Sequence, residues 1–195
     1  MSKVRLYLVR HGKTMFNTIG RAQGWSDTPL TAEGELGIHE LGIGLRESGL
    51  QFDRAYSSDS GRTIQTMGII LEELGLQGKI PYRMDKRIRE WCFGSFDGAY
   101  DGDLFMGLIP RIFNVDHVHQ LSYAELAEGL VEVDTAGWAE GWEKLSGRIK
   151  EGFEAIAKEM EEQGGGNALV VSHGMTIGTI VYLINGMHPH GLDNG

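Results

Sequence analysis

The chain has 195 residues, 41% hydrophobic and 23% charged, which is the balance of one domain with a full core and not of a disordered chain. Eighteen basic against 27 acidic side chains leave a net charge of −9. No global positive field therefore attracts nucleic acid or an anionic membrane, and an anionic ligand must be caught by a local cluster of cations. One cysteine, Cys92, excludes an intrachain disulfide and fits a reducing cytoplasm. Flanked by Trp91 and Phe93, it reads as a packed, unreactive thiol.

The first strand is expected at Val4–Val9, a run that contains Arg5 and is too short for a signal-peptide core. No later stretch is long and apolar enough to span a bilayer, so a soluble cytoplasmic protein is expected. Thr31 is the expected N-cap of an early helix whose apolar stripe runs through Leu36, Leu41 and Leu45. A second strand follows at Arg54–Ser57, then a helix carrying Ile64, Met67, Leu71 and Leu74 and stopped by Gly75. Ile80–Met84 is a third strand. Trp138, Trp142, Leu145, Ile149, Phe153, Ile156 and Met160 recur every three or four residues and predict one long amphipathic helix, closed by Gln163-Gly164-Gly165-Gly166. Ala168–Ser172 is the last strand and Met175–Ile184 the last helix. Such alternation implies a mostly parallel sheet covered on both faces, and these sheets bind ligands just beyond the carboxyl ends of their strands.

Those ends carry chemistry. The first strand runs into Arg10-His11-Gly12-Lys13-Thr14 and the last ends in Ser172-His173-Gly174. Two imidazoles come face to face if these strands are neighbours. The second strand leads through Ser57-Ser58-Asp59-Ser60-Gly61 to Arg62 in a helix's first turn, where unpaired N–H groups and the helix dipole favour an anion. A guanidinium adds a fork that grips phosphate at two points. A lone histidine is usually structural or solvated; two of them, with Arg10 and Arg62 at one edge, describe a phosphoryl pocket.

These blocks resemble the histidine phosphatase superfamily, also called the phosphoglycerate mutase-like family. The likeness runs in family order from Leu6 to about Leu183. It takes in Leu8-Val9-Arg10-His11-Gly12, Asn17, and Gln23-Gly24-Trp25-Ser26-Asp27-Thr28-Pro29-Leu30-Thr31. It resumes at Ser57-Ser58-Asp59 with Arg62 and Gln65-Thr66, then at Arg89-Glu90 before Phe93-Gly94, and closes at Val171-Ser172-His173-Gly174. The resemblance implies an α/β fold, a three-layer α/β/α sandwich with a mostly parallel sheet, in a single domain over residues 1–195 with a helical lid at 99–133. It implies His11 as a nucleophile that takes the phosphoryl group covalently and must be neutral to do so. Arg10, Arg62 and His173 become a clamp on that group. Glu90 becomes the general acid and then the base, protonated for the first task, which burial beside Trp91 and Phe93 favours. Asn17, Gln23, Gly24 and Gly174 are further substrate contacts. No cofactor or metal is implied, because a cationic pocket stands in for magnesium. The implied partner is a small phosphorylated substrate or inorganic phosphate, with no nucleic acid and no membrane; an oligomer is left open.

Lys13 departs from the family's usual Glu or Gln, and relatives commonly continue past the position of Asp193-Asn194-Gly195 into one or two more strands. Between hydrolase and mutase, the sequence Glu90-Trp91-Cys92-Phe93-Gly94-Ser95-Phe96-Asp97-Gly98 is similar to the phosphatase branch, since mutases carry a His-Tyr-Gly type of sequence there. The stretch 99–130 is poor in cations, holding Arg111 with His117 and His119. A phosphomonoesterase is therefore expected, a phosphoglycerate mutase and a non-catalytic phosphate-binding protein being the alternatives. Phe105 and Phe113 suit either an apolar leaving group or the lid's own interior. Metal ligation through His117 and His119 or His188 and His190 lacks any supporting motif.

Overall fold

A computed structural model describes residues 3–186. The elements are β1 (Val4–Arg10), α1 (Met15–Thr18), α2 (Ala32–Glu47), β2 (Arg54–Ser57), α3 (Gly61–Glu73) and β3 (Tyr82–Met84). They continue with α4 (Ile109–Phe113), α5 (Tyr123–Val133), α6 (Trp142–Glu162), β4 (Gly166–Ser172) and α7 (Gly174–Asn185). All strand pairs are parallel, in the order β1-β4-β2-β3. The apolar run of β4 lies inside the sheet, in register with β1 from Val4 opposite Gly166 to Arg10 opposite Ser172. Such a strand, covered on both faces, is the fully buried kind that parallel sheets require.

The pleat divides the core. Ala168 and Val170 point to one face, against Leu145, Ile149, Phe153, Ile156 and Met160 of α6 and Ile180 of α7. Leu169 and Val171 point to the other, against Ile38 of α2 and Met67, Ile70 and Leu71 of α3. The result is an α/β/α sandwich with a parallel sheet. Leu104, Ile109, Leu126, Ala127 and Leu130, from the stretch 99–133, belong to the first of these cores. Phe105 meets Phe93 edge-on with centroids 5.5 Å apart, and Phe113 abuts the bare α-carbon of Gly129. Both phenylalanines therefore pack into the interior of the protein.

The expected N-cap is present, Gly34 N donating to Thr31 Oγ1 at 3.0 Å. Three expectations need correction. Leu36 is 60% exposed; the buried stripe of α2 is Gly34, Ile38 and Gly42. A Cβ at Gly34 would stand 2.1 Å from the Lys13 carbonyl oxygen, so close packing sets glycine on the innermost face, with Leu41 and Leu45 partly buried against the second core. Trp138 lies outside α6, because Asp134 accepts the N–H groups of Trp138 and Ala139 at 2.6 and 2.7 Å and folds that stretch into a turn before the cap at Gly141. The third strand begins at Tyr82, not Ile80, since the intervening Pro81 has no N–H to give a ladder. Among the described residues no helix is long and apolar enough to cross a membrane. His188 and His190, and the stretch where relatives continue, lie outside the described residues.

Candidate active site

Because β1 and β4 are neighbours in register, the residues that leave them emerge side by side. His11 N donates to the Ser172 carbonyl at 3.1 Å, and the His11 and His173 rings stand 5.3 Å apart at an interplanar angle of 63°. Gly12 N donates to Thr66 Oγ1 at 3.0 Å, and Thr66 Oγ1 donates to the Arg62 carbonyl at 2.7 Å, which seats the exit of β1 on α3.

His11 Nδ1 donates to the Gly12 carbonyl at 2.8 Å. This bond fixes the tautomer and leaves Nε2 with its lone pair. Burial, then the Arg62 charge, then Arg10 push the His11 pKa down to about 3, with the Gly12 carbonyl opposing. The ring is neutral and nucleophilic at any ordinary pH.

His173 is fully buried. Arg62 Nη2 stands 2.9 Å from its Nδ1, and a guanidinium only donates, so Nδ1 accepts and the ring proton sits on Nε2, which donates to Ser58 Oγ at 2.7 Å. Burial, followed by Arg62, holds the His173 pKa well below the usual histidine range.

Arg62 is also fully buried. Its Nη1 donates to Ser26 O at 2.9 Å and to Asp27 Oδ1 at 2.8 Å, and its Nη2 to Gly24 O at 2.8 Å. Thr14 Oγ1 and Thr28 Oγ1 lie 2.8 and 2.9 Å from one end of the Gln23 amide, and Arg62 Nε 3.0 Å from the other. Both ends are satisfied when the amide oxygen faces Arg62. Gln23 and Gly24 thus stand behind Arg62, holding it. Gly24 is required there: a Cβ would fall 2.3 Å from the Trp91 carbonyl oxygen.

Arg10 reaches the start of α7. A Cβ at Gly174 would be 3.4 Å from Arg10 Nε, so the guanidinium lies over the helix's first residue. Desolvation lowers the Arg10 pKa, the Glu90 charge opposes this, and Arg62 adds to it. Glu90 itself caps α7. Its Oε1 accepts from Thr176 N and Trp91 N, both at 3.0 Å, and its Oε2 from Met175 N at 3.1 Å. Asn17 shares a reciprocal cap with Thr14, accepting Thr14 N at 3.1 Å; its Nδ2 group is left unengaged among the described residues. Cys92 is buried, which raises its thiol pKa and keeps it inert.

His11, His173, Arg10, Arg62, Glu90 and Gly174 are therefore gathered at one sheet edge. Asn17, Gln23 and Gly24 adjoin them on the loop side. Asp97 is a further residue of the site, beyond those the sequence points to. Its carboxylate accepts Gly24 N at 2.8 Å, Ser26 N at 3.0 Å, Trp25 N at 3.3 Å and Phe93 N at 3.1 Å. It closes a backbone nest formed by the loop that grips Arg62. The signal for it was the Phe93-Gly94 block, which has Asp97-Gly98 just downstream. Among the described residues no three His, Cys, Asp or Glu side chains are placed to hold a metal ion.

The chain belongs to the histidine phosphatase superfamily (branch 1), whose sequence profile matches residues 6–194. A phosphoglycerate mutase from Bacillus anthracis str. Sterne is 36% identical and superposes with a TM-score of 0.91, covering 100% of this chain and 86% of that one. A Salmonella choleraesuis protein named "Probable phosphoglycerate mutase GpmB" is 32% identical over 186 residues, or 94% of this chain and 76% of that protein. The alpha-ribazole phosphatase of Shigella flexneri, 24% identical with a TM-score of 0.66 over 93% of this chain and 80% of its own, shares the fold.

Proposed function

We propose that this protein hydrolyses a small phosphomonoester through a covalent phosphohistidine on His11. The observation that carries the reading is the state of the two rings: His11 has one ring nitrogen committed to its own backbone and the other open, beside two guanidinium charges. Nε2 attacks phosphorus, the bond to the leaving oxygen breaks, and Glu90 supplies the proton that oxygen needs. Glu90 then takes a proton from water as that water attacks phosphorus. The P–N bond breaks, and inorganic phosphate leaves with His11 neutral again. Arg10, the Gly174 N–H and Asn17 meet the phosphoryl oxygens. Arg62 contributes its charge across His173, with Gln23 and Gly24 securing it. Guanidinium charge does the work that magnesium does elsewhere, so no metal enters the reaction. The buried free thiol accords with a cytoplasmic setting.

Hydrolysis is favoured over phosphoryl return because two cations adjoining site residues in the chain already have carboxylate partners. Lys13 is paired with Glu33 at 2.8 Å, and Arg89 meets Asp59 through two bonds of 2.6 Å. The backbone nest at residues 24–26 is already filled by Asp97. The mutase reading rests on the names of the relatives at 36% and 32% identity. A panel of phosphomonoesters assayed for free phosphate in excess chelator tests the proposal. Phosphate release is expected; conversion of 3-phosphoglycerate to 2-phosphoglycerate with a bisphosphate primer, without net release, overturns hydrolysis. Activity lost to the chelator and restored by magnesium or zinc overturns the metal-free step. Failure to form any acid-labile phosphoenzyme leaves a phosphate-binding protein.

A further inference from the structure

Glu90 sits on an irregular segment between the turn at Lys86–Ile88 and the loop at Phe93, where no helix or strand fixes its backbone. Four side chains do so instead. Arg148 of α6 donates Nη1 to Arg87 O at 2.8 Å and to Arg89 O at 3.1 Å, and Nη2 to Glu90 O at 3.3 Å. Ser172 Oγ donates to Ile88 O at 2.8 Å, and Thr176 Oγ1 to Arg89 O at 2.7 Å. Trp25 Nε1 donates to Glu90 O at 3.0 Å. Every carbonyl from residue 87 to 90 is thereby held by a side chain.

Arg148 makes three of these six contacts, and it is itself held. Glu140, just before α6, accepts its Nε at 2.9 Å and its Nη2 at 2.6 Å through one carboxylate oxygen. The Glu140 side chain is 3% exposed and that of Arg148 14%. With the three carbonyls, these bonds occupy all five guanidinium N–H groups. The approach is tight because α6 presents Gly152 to the turn: a Cβ there would lie 2.9 Å from Arg87 Cβ and from Ile88 Cγ2. Lysine, a single rotatable donor group, cannot make this planar fork.

We propose that Arg148, clamped by Glu140, is a positioning residue for proton transfer: it fixes the backbone that aims the Glu90 carboxylate at the leaving oxygen. The inference rests on the role given to Glu90 above. It makes Glu140 and Arg148 a unit whose loss imitates loss of the acid itself, since a displaced acid fails where a proton is most needed.

The test compares turnover of an alkyl phosphate, whose alkoxide needs a proton, with that of 4-nitrophenyl phosphate, whose phenolate does not. Glu90→Gln sets the reference: a large loss on the alkyl ester and a small one on the aryl ester. Equal loss on both removes Glu90 from the acid role and refutes the underlying reading, whatever Arg148 does. Given the reference signature, Arg148→Met is expected to lose roughly a hundredfold on the alkyl ester with little change on the aryl ester. In the Glu90→Gln background it should cost nothing further on the alkyl ester. Equal losses on both substrates, or full additivity with Glu90→Gln, overturn the inference. Arg148→Lys and Glu140→Gln keep the experiment decisive should Arg148→Met fail to fold. Each is expected to show a milder form of the same selective loss, and wild-type alkyl turnover in a folded Arg148→Lys enzyme refutes the assignment.

Discussion

The two strand–His–Gly junctions look alike in sequence and do different things in space. Where β1 ends, the His11 ring bonds to the carbonyl of its own neighbour and keeps one nitrogen open. Where β4 ends, the His173 ring has Arg62 on one nitrogen and Ser58 on the other, deep in the protein. One imidazole keeps a nitrogen open by being bound locally; the other is tied by long-range partners and holds a cation in place. What separates them is the number of nitrogens engaged, not the motif or the pKa, which burial and Arg62 lower at both.

The sharpest way to break this contrast is substitution. His11→Ala should remove the acid-labile phosphoenzyme and lower turnover by on the order of 10⁴-fold or more. Near-normal turnover would put the nucleophile elsewhere. His173→Ala should cost less, roughly 10²–10³-fold, with a phosphoenzyme that still forms slowly. It should also lower stability by about 1–3 kcal/mol, because Arg62 Nη2 and Ser58 lose a buried partner, and a thermal melt measures this. Equal phosphoenzyme loss in both variants would erase the distinction.

Acid sharpens it next. Both rings bind protons less readily in the folded chain than in the unfolded one, so the unfolded state gains protons first as pH falls. Stability should be level above the ordinary histidine value of 6.5 and decline from there toward about pH 3, where His11 itself titrates. An NMR titration should find His11 unprotonated on Nε2 at pH 5; a normal midpoint would contradict the geometry. The smallest effect is Ser58→Ala, which removes one bond from His173 Nε2. It should cost about 1 kcal/mol by denaturant titration and leave His11 chemistry nearly intact.

Much of this was legible in the chain. Apolar runs marked the strands, and parallel topology sent Arg10, His11 and His173 to one edge, with Arg62 in the first turn of a helix. The order β1-β4-β2-β3 was not legible, because pairing of strands so distant in sequence leaves no local trace. The α2 stripe misled at Leu36 for a local reason: Gly34 and Gly42 are buried by close approach, a property hydrophobic spacing does not register. The supports of the site, Asp97 beneath the Gln23–Asp27 loop and Arg148 beneath residues 87–90, act through backbone groups; the Phe93-Gly94 block gave a signal only for Asp97. Glu90 was legible through the family pattern alone, because its cap on α7 is made to backbone N–H groups.

The place of β4 between β1 and β2 has a consequence for biosynthesis. Among the described residues β1 has no other sheet neighbour, and β2 has only β3 besides. The central strand thus leaves the ribosome after every other strand of the sheet. Until residues 166–172 emerge, β1 must wait unpaired and the chain cannot zip into its native order. Folding of this sheet waits on the synthesis of β4, and a nascent chain stalled before it exposes two strand edges to chaperones or to one another.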